Sequence, residues 1–354
     1  MFRSAVILAS LLTFAFFIPT LATAVEPSIA EVEAERLGLD LGPGSSPSVA
    51  ASTPEALPPA SEGMLTSVLL IPESTNDRVM AFDPTTGDLI NADFIPSDTT
   101  NLSTPIHAIL SPSGESILVS DQIEDAVHEY DFDGNHLGLF APAGGVNTDI
   151  LDNIRGMALR DNGNLLVTVA NGANAGAIAE FDTGGAYLGN FIEDGAGGLD
   201  NPFDIILGVD ALVSGIDSET IHRFDLAGNY VEDLTPVDSF PEQLAIASSN
   251  GNVLIANFTG ADEGVVEVTT GGAAVGVYNP PSLGGYRGVY ELLNGNILTT
   301  NGGGVHEIDR MGNLVETKIA GVSARFIEFV DLQPAIFADG FESGDTSAWS
   351  TTVP

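Results

Sequence analysis

Cysteine is absent from all 354 residues, and basic residues are scarce. Ten Lys and Arg, of which only Lys318 is lysine, stand against 49 Asp and Glu, for a formal net charge of −39. Without cysteine there is no disulfide scaffold, no thiolate metal site, no catalytic thiol and no acylated lipoprotein anchor. Without clustered Lys and Arg the chain is a poor partner for nucleic acid, whose phosphates demand them. No Gly-x-Ser-x-Gly elbow and no Walker loop occur. Hydrophobic residues make up 44% of the chain, enough for a sizeable core, which argues against an intrinsically disordered protein.

Long apolar runs are also lacking, with one exception. After Met1-Phe2-Arg3 an apolar stretch runs from Ala5 to Ile18, followed by Pro19 and Ala22-Thr23-Ala24. A charged start, a short apolar region and a small-x-small site predict a signal peptide over residues 1–24 and a secreted or periplasmic protein. The stretch is shorter than the roughly 20 residues of a membrane span, so no span is expected after cleavage. Residues 25–62 are rich in Ala, Pro, Ser and Gly and read as a disordered linker. Residues 333–354 form a C-terminal tail, which includes Asp339-Gly340-Phe341-Glu342-Ser343-Gly344 and the single Trp349. It resembles a short tail found at the ends of secreted bacterial proteins, and it reads equally as an address signal or as an inert extension. The acidic surface keeps such a protein soluble and equally suits a saline habitat.

Between residues 63 and 332 one pattern recurs six times: a β-branched run, a loop, an apolar strand closing on Asp or Thr, a Gly turn and a weaker strand. The closing residues are Asp83, Asp131, Asp182, Asp225, Thr269 and Asp309, spaced 48, 51, 43, 44 and 40 residues apart. Short strands, glycine turns and a period near 45 predict an all-β fold, a six-bladed β-propeller with four antiparallel strands per blade. The first repeat has only three strands before its linker, and Arg325–Val330 is an extra strand of the innermost type. Pairing the two closes the first blade with the C-terminal strand and removes an open sheet edge. The Asp-x-x-Gly segments Asp131–Gly134 and Asp225–Gly228 lack the rest of a calcium loop and read as hairpin turns.

The run Arg155-Gly156-Met157-Ala158-Leu159-Arg160-Asp161-Asn162-Gly163-Asn164-Leu165-Leu166-Val167 resembles the strand signature of NHL repeats, gluconolactonase-like enzymes and streptogramin lyases. The resemblance covers the whole repeat region as a pattern and specifies fold better than activity. It implies that the innermost strands start at the ligand-carrying face. Aligning the six starts places His107, Arg155, Asp204, Gln243, Arg287 and Arg325 at one level. Three arginines at one repeat position suit a small anionic ligand, since a guanidinium matches carboxylate or phosphate bidentately; a plug of arginines paired with neighbouring acids is the other reading. One residue of slip would turn a side chain to the opposite strand face.

Oxygen-bearing residues follow the second strands: Glu73, Asp121, Asn171, Asp217, Asn257 and Asn301. The central Glu, Asn and Asp set of gluconolactonase-like enzymes implies Asp121, Asn257 and Asn301 as ligands for Ca²⁺ or another divalent cation, although Asn and Asp are also ordinary turn residues. The lyase resemblance implies His107 as acid/base. His128, His222 and His306 fall in separate blades, which speaks against a shared metal site. Two functions follow: a monomeric binding propeller for an anionic small ligand or protein partner, or a divalent-metal-dependent lyase or lactone hydrolase.

Overall fold

The computed structural model describes residues 67–332. The signal peptide, the linker and the C-terminal tail read from the sequence lie outside the described residues. The described chain forms six four-stranded antiparallel sheets. From the innermost strand outward, blade 1 is β24 (Glu328–Asp331), β1 (Ser67–Glu73), β2 (Arg78–Phe82) and β3 (Leu89–Ile95). Blade 2 is β4 (Pro105–Leu110), β5 (Ile117–Asp121), β6 (Ala126–Tyr130) and β7 (His136–Ala141). Blade 3 is β8 (Ile154–Leu159), β9 (Leu165–Val169), β10 (Ile178–Phe181) and β11 (Tyr187–Ile192). Blade 4 is β12 (Pro202–Leu207), β13 (Ala211–Gly215), β14 (Thr220–Phe224) and β15 (Tyr230–Pro236). Blade 5 is β16 (Pro241–Ile246), β17 (Val253–Asn257), β18 (Gly264–Val268) and β19 (Ala274–Tyr278). Blade 6 is β20 (Gly288–Glu291), β21 (Ile297–Asn301), β22 (Gly304–Ile308) and β23 (Leu314–Ala320).

The expected closure is present. β24 pairs antiparallel with β1 through Val68 and Val330, Leu69 and Phe329, and Leu70 and Glu328. Second strands such as Ile117–Asp121 and Leu165–Val169 are buried along their whole length, because a blade near the axis has a neighbour on both faces. Outer strands alternate or face solvent, as in Leu314–Ala320. The core divides into six apolar clusters, one between each pair of adjacent blades. The cluster joining blade 6 to blade 1 packs Leu298 and Val305 against Leu69, Ile71, Met80 and Phe82. A ring of equivalent interfaces needs no disulfide, since every blade buries both of its faces.

The Asp-x-x-Gly segments are hairpin turns. Asp131 Oδ1 accepts the amides of Asp133 (3.0 Å) and Asn135 (2.8 Å), and Asn229 closes the Asp225 turn in the same way. Their glycines also touch the previous blade. At Gly228, with φ +82°, a Cβ would lie 1.8 Å from the carbonyl oxygen of Phe191, so both conformation and close approach exclude a side chain. Among the described residues no helix is long and apolar enough to cross a membrane.

Candidate functional site

Innermost strands are sheet edges, and their backbone groups need partners from elsewhere. The preceding blade supplies them. Hydroxyls of Ser120, Thr168, Ser214 and Thr300 donate to the carbonyls of Arg155, Phe203, Glu242 and Arg325, at 2.6, 3.2, 2.8 and 2.6 Å. These four carbonyls therefore occupy equivalent positions. Arg287 joins them, because its amide donates to Thr300 O as that of Arg325 donates to Pro72 O, each at 2.9 Å. The next residue along each strand forms a second level. There His107 Nδ1 accepts the Met157 amide (3.1 Å), Asp204 Oδ2 that of Leu244 (2.9 Å) and Gln243 Oε1 that of Val289 (2.9 Å).

The six aligned residues thus occupy two levels. Arg155, Arg287 and Arg325 share the first with Ile106, Phe203 and Glu242; His107, Asp204 and Gln243 share the second with Gly156, Gly288 and Phe326. The sequence alignment slipped by one residue in three blades. The cause is irregular pairing at the strand starts, where β4, β8, β12 and β16 each carry a register shift. Glycine at Gly156 and Gly288 is a matter of space: a Cβ would lie 2.4 Å from Asp204 Oδ1 and 2.5 Å from Arg325 O respectively.

Phenylalanine rings, Phe203 on the first level and Phe326 on the second among them, lie between Arg155 and His107, and the sequence reading missed them. Ring contacts run from His107 to Phe326 (5.3 Å), from Phe326 to Phe203 and from Phe203 to Phe240 (each 5.8 Å), and from Phe240 to Phe258 (5.5 Å). The Arg155 guanidinium lies 4.3 Å from the Phe203 ring centre and that of Arg287 lies 5.5 Å from Phe258, cation–π geometry that fixes both. Arg155 Nη1 donates to Asn201 Oδ1 (2.8 Å), Arg287 Nη1 to Ser323 Oγ (2.8 Å) and Arg325 Nη2 to Ser74 Oγ (3.1 Å). Arg78, Arg160, Arg223, Arg310 and Lys318 each meet at least one carboxylate as well as their other contacts. A position of Phe just after Pro202 or before Pro241 was the available signal for the plug, but an aromatic in a strand is usually core.

On the other side of the rings, His107, Asp204, Gln243 and Glu328 line a cavity of about 430 Å³. It extends to Leu110, Leu159 and Asp331 at the far ends of β4, β8 and β24. His107 Nε2 lies 3.2 Å from Glu328 Oε2, which, with Nδ1 accepting an amide, sets the proton on Nε2. Burial pushes the Asp204 carboxyl up to about 6, with His107 and two backbone amides pulling the other way. Gln243 is consumed by the structure: it also donates to Ile327 O and accepts the Ile327 amide.

The residues implied as metal ligands do not fit a cation. Asp121 Oδ1 accepts the amides of Ile123 and Glu124, and Oδ2 those of Ser103 and Thr104, all at 2.8–3.0 Å. Asn301 Oδ1 takes the Gly303 amide and contacts His306 Nε2, while Asn257 Oδ1 takes the Phe240 amide. Glu73 holds its own loop and Arg78. Each oxygen faces N–H groups of its own blade's loops, where a cation would meet donors. Among the described residues no group of three or more His, Asp or Glu is placed to hold a metal.

No protein-family model and no curated protein matches the chain. Solved structures do. One is a protein of unknown function from Bacteroides caccae, at 17% identity over 75% of this chain and 99% of that one, with a TM-score of 0.53. A chain of a nidogen/laminin complex matches at 13% identity, 76% and 100% coverage and TM-score 0.59. A gluconolactonase from Xanthomonas campestris matches at 13% identity, 72% and 89% coverage and TM-score 0.55. The chain is a six-bladed β-propeller. The expected resemblance to gluconolactonase-like propellers holds at the level of fold; a streptogramin B lyase also matches, at TM-score 0.44. At such identities the likeness shows the propeller fold alone.

Proposed function

We propose that this propeller is an exported binding protein that holds an anionic group, on a small ligand or a partner protein, at the mouth where the innermost strands begin. The observation that carries this reading is the shared register position of Arg155, Arg287 and Arg325, two of them stacked on the phenylalanine plug. In a chain with ten basic residues against 49 acids, three fall at one repeat position, where Glu242 is the single acid on the same level, so this level carries a local excess of positive charge. A rigid guanidinium backed by an aromatic ring loses little freedom on binding a carboxylate or phosphate.

The metal-dependent lyase or lactone hydrolase keeps the support of the fold, since a gluconolactonase is among the similar structures. It lacks support from Asp121, Asn257 and Asn301, whose oxygens are engaged by loop amides. His107 is equally engaged, by Met157 and Glu328.

The test is a thermal melt of the full-length protein with citrate, with inorganic phosphate and with spermidine as the cationic control. An anion at about 100 times its Kd should stabilise the fold by roughly 2.7 kcal/mol, and the Arg155→Gln/Arg287→Gln/Arg325→Gln triple variant should lose that response. No shift with either anion, or a shift that survives the triple substitution, removes the arginine mouth as a binding site.

A further inference from the structure

The loop between the second and third strands of blade 4 holds a second arrangement of chemistry. Ser218 Oγ lies 2.8 Å from His222 Nε2, and His222 Nδ1 lies 3.0 Å from Asp233 Oδ1. His222 is on β14, directly paired with Asp233 on β15, and Ser218 precedes it by one four-residue step in the loop. His222 is buried, Ser218 half-buried and Asp233 exposed. The Nδ1 contact is short but too far out of line for a hydrogen bond, and Nδ1 is sealed from solvent with no hydrogen-bond partner. A carboxylate there draws the ring proton to Nδ1 and leaves Nε2 to accept from the serine hydroxyl. Burial holds the His222 pKa below its ordinary value, with Asp233 opposing, so the ring is neutral and able to take a proton at pH 7. The same repeat position in blades 2 and 6 holds His128 and His306, which meet His136, and Asn301 and Thr317, in place of a serine.

The turn also supplies a donor for developing negative charge. The loops after Glu73, Asp121 and Gly215 share one conformation: four residues, the last with positive φ (Asp77 51°, Asp125 54°, Glu219 50°). The first amide of each donates across to a carbonyl, of Ser323, Thr104 and Asn201 respectively. In blades 1 and 2 two further loop amides converge on one carboxylate oxygen. Glu73 Oε2 takes those of Thr75 (2.8 Å) and Asn76 (3.1 Å), and Asp121 Oδ1 those of Ile123 (3.0 Å) and Glu124 (2.9 Å). Two sister blades therefore show that this turn receives an anionic oxygen. Blade 4 has Gly215 where they have the acid, and Ser218 Oγ fills the space, 2.1 Å from where a Gly215 Cβ would lie. The Ser218 amide is the counterpart of the Asn76 and Glu124 amides.

We propose that Ser218, His222 and Asp233 form an acyl-transfer site that hydrolyses small carboxylic esters, a reading independent of the arginine mouth. Ser218 Oγ bonds to the ester carbonyl carbon as its proton passes to His222 Nε2. The carbonyl oxygen takes up the electron pair and faces the Ser218 amide. Collapse breaks the ester C–O bond; the alcohol leaves with the proton from Nε2, and Ser218 is acylated. Water then gives a proton to Nε2 and attacks the acyl carbon. The carboxylic acid departs and Ser218 Oγ recovers the proton. Asp233 acts through His222 as a positioning residue, holding its tautomer.

The full-length protein is treated with a fluorophosphonate probe and assayed with p-nitrophenyl butyrate. The expected result is phosphonylation of Ser218, identified by peptide mass spectrometry, and absent from heat-denatured protein and from Ser218→Ala. Ser218→Ala and His222→Gln should each lower kcat/KM by about 10³-fold with melting temperatures near that of the parent. Asp233→Asn should lower kcat with KM little changed, and Asp233→Glu should restore part of it. An unlabelled Ser218 in the folded protein, no turnover above the buffer rate, or undiminished turnover in Ser218→Ala overturns the assignment.

Discussion

Charging a buried histidine costs free energy, and His128 shows how this chain handles that cost. Its ring is buried on β6, its Nε2 has no hydrogen-bond partner, and Nδ1 lies 3.2 Å from His136 Nε2. Burial, with His136 adding to it, lowers its pKa from the ordinary 6.5 to about 4. The folded state thus resists a proton that the unfolded chain accepts. Stability from this residue is fully present above pH 6.5 and is lost as the pH falls toward 4, by on the order of 3 kcal/mol. Urea unfolding at pH 7 and pH 4.5 measures it, and His128→Gln should flatten the dependence. An unchanged pH slope in that variant would move the acid sensitivity elsewhere. None of this is legible in the residues 126–130 alone, because the neighbour His136 arrives through the hairpin register.

At the scale of elements, turns and strand starts follow different rules. The hairpin turns were legible because Asp, Gly and Asn satisfy the turn locally, within five residues. What the local pattern omits is the contact each turn makes with the previous blade. Gly228 and Gly251 both have positive φ, but a Cβ at Gly251 meets nothing within 4 Å, whereas at Gly228 it meets the Phe191 carbonyl. Gly251→Ala should cost about 1–2 kcal/mol, the left-handed penalty alone. Gly228→Ala should cost a further 1–3 kcal/mol or so for overpacking. Chemical denaturation of the two variants compares them, and equal costs would mean that the blade contact is slack. Strand starts were misread for a related reason. Aligning the six strand starts implied one register for all innermost strands, while the irregular pairing at those starts divides His107 from Arg155.

For the whole molecule, the excess of acid dominates. Five of the described basic residues already sit among carboxylates, so the net charge of −39 is largely uncompensated repulsion that opposes compaction. Raising NaCl from 0.1 to 1 M shortens the screening length from roughly 10 to 3 Å, and the melting temperature should rise by several degrees. A fall would show that the surface ion pairs outweigh the repulsion. The six repeats, the four strands in each and the closure by the last strand were legible in the residues alone. Each of these follows from periodic apolar residues and turn chemistry, which act over a few residues. That phenylalanine rings stand between Arg155 and His107 emerged from the packing of the blades. The tertiary structure alone decided that Asp121, Asn257 and Asn301 serve their own loops, and that Ser218, His222 and Asp233 meet. Such facts depend on which backbone group of another strand lies within 3 Å, and a one-residue shift that leaves the hydrophobic pattern readable changes every one of those partners.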